Sequence, residues 1–218
     1  MGKDAGPAAF SHLPFLRADD KISRESKRNM ENYIVMDLEF NYPNTRSRSE
    51  HNGVVLYQEI IEIGAVKLDK DLKQIDSFCI FVKPAAYPKV NKQVEELTEI
   101  TTEMVWKGVP FPKAYRKFME WCGEDPVFIT WSDSDIIAME DNLEYHELPI
   151  DDLPRCFDIQ LMFDDQITQE DRSFALSYAM WKMDIKPAPS HDALNDAINT
   201  AEVMRRLDLS EGLEEYEV

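Results

Sequence analysis

Basic side chains are scarce in this 218-residue chain: 24 Lys and Arg stand against 42 Asp and Glu, a formal net charge of −18. That deficit excludes a protein that coats duplex DNA by bulk electrostatics, because neutralising phosphates needs Lys and Arg. It still allows contact with a polyanion through bound divalent cations, which carry positive charge of their own. Cysteine is also rare. Cys79, Cys122 and Cys156 are odd in number, far apart and without CxxC or Cys/His zinc spacing, so they read as small buried hydrophobes in a reducing compartment. No apolar run approaches about 18 residues, which argues against a transmembrane helix. The first thirty residues lack the apolar block of a secretory signal, and a cytoplasmic location is expected. Neither a Gly-rich phosphate loop nor a dinucleotide fingerprint is present, and no internal repeat is visible.

What is present suffices for one domain, since apolar residues make up 44% of the chain. Residues 1–30 mix Gly, Pro and Ala with scattered charge and no period, and read as a flexible leader or a tag. Order is expected over residues 31–208, with an acidic, solvated tail over 209–218 that includes Glu211, Glu214, Glu215 and Glu217. Strands are predicted at YIVMDLEF (33–40), EIIEIGAVKL (59–68) and IDSFCIFV (75–82), the last two as a hairpin. The polar stretch 41–57 reads as a loop. Helical periodicity covers 111–122, 132–145, 173–183 and 192–207, with short strands at 126–131 and 156–159. Within the third helix, Phe174, Tyr178 and Trp181 read as core. The order implies an α/β fold with a mixed sheet and helices on its faces.

Three places carry chemistry. Asp37 and Glu39, two apart on a strand, point to one side, and two carboxylates in an apolar strand repel unless a hard cation joins them. At Trp131-Ser132-Asp133-Ser134-Asp135 a strand end meets a helix start, where α/β sheets place ligands; either acid also suits a helix cap. His191-Asp192-Ala193-Leu194-Asn195-Asp196 opens the last helix. His191 and Asp196 lie just over one turn apart and converge if the histidine is not fully helical.

Taken together, Asp, Glu, Asp, His and Asp in this order resemble the pattern of the DEDDh 3′→5′ exonucleases, the superfamily of proofreading exonucleases, RNase T and related RNA trimmers. YIVMDLEF, EIIEIGAV, FVKPAAYPKVNKQVEELTEITTEMV, FITWSDSD and HDALNDA are similar to the branch of KapD-like and histone-mRNA 3′ exonucleases (Eri-type). The resemblance runs from about residue 33 to residue 207. It implies an RNase H-like fold whose central mixed sheet has five strands, three antiparallel and then parallel ones, flanked by helices. It assigns Asp37 and Glu39 to the first motif, Asp135 to the second with Asp133 as the alternative, and His191 and Asp196 to the third. The five-residue step from His191 to Asp196 selects the histidine subclass. Asp192 and Asn195 depart from residues often basic and acidic in relatives.

The same resemblance implies two divalent cations, Mg²⁺ or Mn²⁺, held by Asp37, Glu39, Asp135 and Asp196, with His191 as general base. The partner implied is the 3′ end of single-stranded nucleic acid, RNA over DNA, with nucleoside 5′-monophosphates as products. Leu38, Phe40, Tyr42 and Arg46 are the expected substrate contacts, helped by Arg48 and His51 in the same loop. An inactive interaction module of the same fold, or a hydrolase of small nucleotides, are the alternatives.

Overall fold

The computed structural model describes residues 32–44, 48–170, 172–189 and 191–218. The leader at 1–30 and Arg46 lie outside them.

A long β-branched, apolar run places β4 (Glu59–Asp69) deep in the sheet, with all but its last residues buried on both faces. It pairs antiparallel with β1 (Asn32–Asn41) on one side and with β5 (Gln74–Lys83) on the other. β1 then pairs in parallel with β7 (Val127–Thr130), and β7 with β8 (Cys156–Asp158). These are the five expected strands. A sixth, the two-residue β6 (Val109–Pro110), adds in parallel to β5, giving the order β6-β5-β4-β1-β7-β8.

The segment expected as a loop contains a second, two-stranded sheet, β2 (Ser49–His51) with β3 (Val54–Leu56). Its turn is Asn52-Gly53, both at positive φ, the pair that a tight hairpin favours. The hairpin is tied down by the Ser49 and Tyr145 hydroxyls, 2.7 Å apart, and by His51 Nδ1 at 3.0 Å from the Tyr145 carbonyl.

Helices cover both faces. Between β5 and β6 run two short helices, α1 (Lys92–Thr98) and α2 (Thr102–Lys107), capped by Asn91 and Thr101. Next come α3 (Phe111–Cys122), with the bounds read from the sequence, and α4 (Ser134–Tyr145). Ile34, Met36 and Leu38 from β1 join Phe118, Phe128, Ile136, Met139 and Leu143 in the main core. Asp158 caps α5 (Ile159–Phe163), which runs on into a π-helical turn, Asp164–Thr168. The helix α6 spans Leu176–Lys182, shorter than the expected 173–183, and starts after Ala175.

The last helix, α7 (Ala193–Met204), lies against β1 and β4. Its buried Ala193, Ala197 and Ala201 permit close approach, and Gly64 of β4 completes the fit. A Cβ on Gly64 would overlap the backbone of Ala193 and Leu194. Gly64→Ala should therefore push the start of α7 off the sheet and lower Tm by roughly 3–10 °C in a thermal melt. An unchanged Tm would show that the helix start yields without cost.

The acids of the C-terminal segment, Glu211, Glu214, Glu215 and Glu217, are exposed, but the segment is anchored to the domain. Leu213 is buried, Arg155 makes two hydrogen bonds to the Glu217 carboxylate at 2.7 and 2.6 Å, and Glu217 bridges to Phe157 at the β8 edge. The Val218 N–H then donates to the Cys156 carbonyl at 3.0 Å. Among the described residues no helix is long and apolar enough to cross a membrane.

Candidate active site

The strand β1 delivers two acids to one place. Asp37 and Glu39 are two residues apart and share the face opposite the main core, the face on which α7 lies. The register of β1 against β4 then shifts between Glu39 and Phe40, so Ile61 is left without a cross-strand partner. Such a bulge re-aims the strand where it meets the site. From α7, Asp196 enters the same space. Asp37, Glu39 and Asp196 each present a carboxylate oxygen, and the three lie within 4.8 Å of one another.

Asp135 comes from the first turn of α4. Its side chain is 5% exposed and accepts the Leu38 N–H at 3.0 Å, between the two acids of β1. Asp133 is exposed and makes no side-chain cap bond. Of the two candidates, Asp135 is the one that the fold brings to the cluster.

Among the described residues no Lys or Arg offsets the charge of these acids. Burial holds the Asp37 carboxyl well above the usual carboxylate range, and Asp135, Asp196, Glu39 and Glu62 raise it further. Burial also pushes Glu39 up to about 8, reinforced first by Glu62, its cross-strand partner. For Asp135 burial outweighs the hydrogen bond from Leu38, and the carboxyl lies at about 7. Converging hard oxygen donors, partly desolvated and mutually repelling, are the donor set that a divalent cation neutralises.

His191 lies outside α7, at φ 65°, in the left-handed region. This non-helical turn brings its backbone N–H to Asp196 Oδ2 at 2.8 Å. The other oxygen of Asp196 accepts from Asn199 Nδ2 at 3.2 Å. Asn199 Oδ1 in turn accepts the Ala188 N–H at 2.9 Å, so the loop before the helix is tied to the acid it serves.

Asp37, Asp135, His191 and Asp196 line one cavity of about 910 Å³, with Leu38 and Phe40 beside them. Of the other expected contacts, Tyr42 does not line it; its hydroxyl accepts from Gln58 Nε2. Arg48 sits over the Tyr57 ring, 5.5 Å from the centroid.

Two residues were not singled out in the sequence. Glu62, 2% exposed, accepts the Cys79 thiol at 3.2 Å and the Ala193 N–H at 3.3 Å, joining β5 to the start of α7 behind Glu39. An acid held between isoleucines in a strand was its available signal. Asn199 had none beyond lying one turn after Asp196.

The exonuclease family model RNase_T matches residues 34–204. Probable 3′-5′ exonuclease KapD of Bacillus subtilis (strain 168) is 25% identical over 178 residues, covering 79% of this chain and 82% of KapD. ERI1 exoribonuclease 2 of Homo sapiens is 27% identical over 142 residues, 55% of this chain and 20% of that protein. Among solved structures, the nuclease domain of 3′hExo, a DEDDh family member bound to rAMP, matches with a TM-score of 0.72 at 20% identity, covering 85% of this chain and 95% of that one. The family match runs from within β1 to the end of α7 and includes both ends of the acidic cluster: the chain belongs to the exonuclease family that the RNase_T model describes.

Proposed function

We propose that the protein removes nucleoside 5′-monophosphates one at a time from the 3′ end of single-stranded nucleic acid, RNA in preference to DNA. The observation that carries this reading is the convergence of Asp37, Glu39 and Asp196 within 4.8 Å, with Asp135 fixed to the same strand. These four carboxylates would hold two divalent cations, Mg²⁺ or Mn²⁺. When bound, the cations supply positive charge at the scissile phosphate and acidify the attacking water.

The chain's own groups supply the rest. His191 accepts the proton of the attacking water through its imidazole, as a general base. The water oxygen bonds to phosphorus, the bond from phosphorus to the 3′ oxygen breaks, and that oxygen leaves with a proton from solvent. Asp196 holds the His191 backbone in its left-handed turn, so base and carboxylate keep one relative position. Leu38 and Phe40 receive the terminal nucleotide. The preference for RNA is supported by the relatives, one named an exoribonuclease and one bound to rAMP.

A 5′-labelled single-stranded RNA and its DNA counterpart, incubated with Mg²⁺, Mn²⁺ or EDTA, test the reading. The expected result is a ladder that shortens from the 3′ end, faster for RNA and abolished by EDTA. No shortening with either metal would move the protein to an interaction module, and equal rates would remove the sugar preference.

A further inference from the structure

Trp181 does not belong to the core in which the sequence placed it. It is 73% exposed, more than any other large hydrophobic among the described residues, and it lines the catalytic cavity. A single exposed hydrophobic is ordinary; its place and support are what matter. On α6, Ser177 and Trp181 are four apart and both line the cavity, so this helix turns one face to it. The indole is braced from behind. Its centroid lies 5.6 Å from that of Tyr178, whose ring stacks on Phe174 at 4.3 Å with 19° between the planes. Phe174 is buried, and its carbonyl accepts from Trp131 Nε1 at 3.1 Å and Gln160 Nε2 at 2.8 Å. The series from Phe174 to Trp181 is an aromatic shelf that runs from the buried Phe174 to the cavity lining.

The remaining lining explains what such a shelf is for. Asp37, Asp135, Asp184 and Asp196 are acidic, and the described residues that line the cavity include no Lys or Arg. Among the described residues that line the cavity the phosphates of the strand therefore find no side-chain cation, whereas every nucleobase has a π-face that an exposed indole can cover. Building on the exonuclease reading, we propose that Trp181 stacks on the nucleobase 5′ of the scissile phosphate, the base of the penultimate nucleotide. The substrate is then gripped by its bases, with the terminal nucleotide inside against Leu38 and Phe40 and its neighbour at the rim. Trp181 is in this sense a specificity-determining residue: it selects substrates with a base on both sides of the cleaved bond.

The test is a cycle between protein and substrate in the His191→Ala background, where the strand persists. Anisotropy of 5′-fluorescein-labelled single-stranded RNA tetramers, with Mg²⁺, gives Kd for the intact strand and for one abasic at the penultimate position. Trp181→Ala should weaken binding of the intact strand about 5- to 100-fold. The abasic strand should lose a similar factor with Trp181 present and no more when it is replaced, and Trp181→Phe should recover most of the loss. Additive losses, no loss from Trp181→Ala, or coupling to an abasic terminal nucleotide instead would overturn the assignment. Should the wild-type protein shorten no strand while the cycle closes as stated, the exonuclease reading falls and the stacking site stands.

Discussion

Asp37→Asn should raise the melting temperature of the metal-free protein and at the same time remove its activity. The two effects have one cause. Asp37 is held well above the ordinary carboxylate range by burial and by four neighbouring acids, so the folded state works against its charge. Asparagine keeps the shape and deletes that cost. In a domain of this size each kcal/mol recovered adds about 2–4 °C to Tm. Turnover should fall by at least about 10³-fold, since the cations that Asp37 would help to hold would supply several kcal/mol of charge stabilisation at the scissile phosphate. Thermal melts with and without Mg²⁺ separate the outcomes. The wild-type protein should gain about 5–10 °C at saturating cation, as ligand at roughly 100 times Kd contributes about 2.7 kcal/mol; the variant should gain much less. An equal cation-induced gain in both proteins would take Asp37 out of the metal set.

The sign with pH follows from the same groups. Glu39 at about 8 and Asp135 at about 7 are raised above their ordinary values, so the folded state binds these protons more tightly than the unfolded one. Their contribution is fully present below about pH 4 and is lost as pH rises through about 7 to 8. The metal-free wild type should therefore melt at a higher temperature at pH 5 than at pH 8.5, and Asp37→Asn should narrow that gap.

His191→Ala should lower turnover by roughly 10²–10⁴-fold, the usual worth of a general base. Cation binding should survive, because the carboxylates stay in place. One complication is specific to this backbone. His191 sits at φ 65°, where alanine is strained and asparagine is tolerated. If the histidine served only to shape the turn that meets Asp196, His191→Asn would restore activity. A proton acceptor is not replaced by an amide, so His191→Asn should be as slow as His191→Ala while keeping the wild-type melting gain with Mg²⁺. Recovery of the rate in His191→Asn would reassign the residue to a structural role.

These groups differ in how far the sequence alone discloses them. Asp37 and Glu39 were legible because strand periodicity fixes their shared face. α3 was legible to the residue because Pro112 and Gly123 punctuate it. Asp133 and Asp135 could not be separated locally, since both suit the start of a helix. A hydrogen bond to Leu38, 97 positions away, is what separates them. The Asn52-Gly53 hairpin carried its turn signal, but its two strands are three residues each, too short for alternation to register. Trp181 continues a core-like spacing from Phe174 and Tyr178, yet α6 ends at Lys182, so the third aromatic overshoots the core it seemed to extend. At the C-terminus the run of acids hides two anchors, the buried Leu213 and the pairing of Glu217 with Arg155.

The bridge from Glu217 to Phe157 also bears on how copies of this chain behave together. An open sheet invites a neighbour's strand to add to its margin, which is how folded proteins begin to aggregate. Here the margin at β8 is partly taken by the chain's own Glu217 and Val218. At the opposite margin β6 is two residues long and ends in Pro110, which has no N–H to offer. Loss of residues 213–218 would reopen the β8 margin, so a truncated form should be more prone to self-association at high concentration than the full chain, even with its catalytic cavity intact.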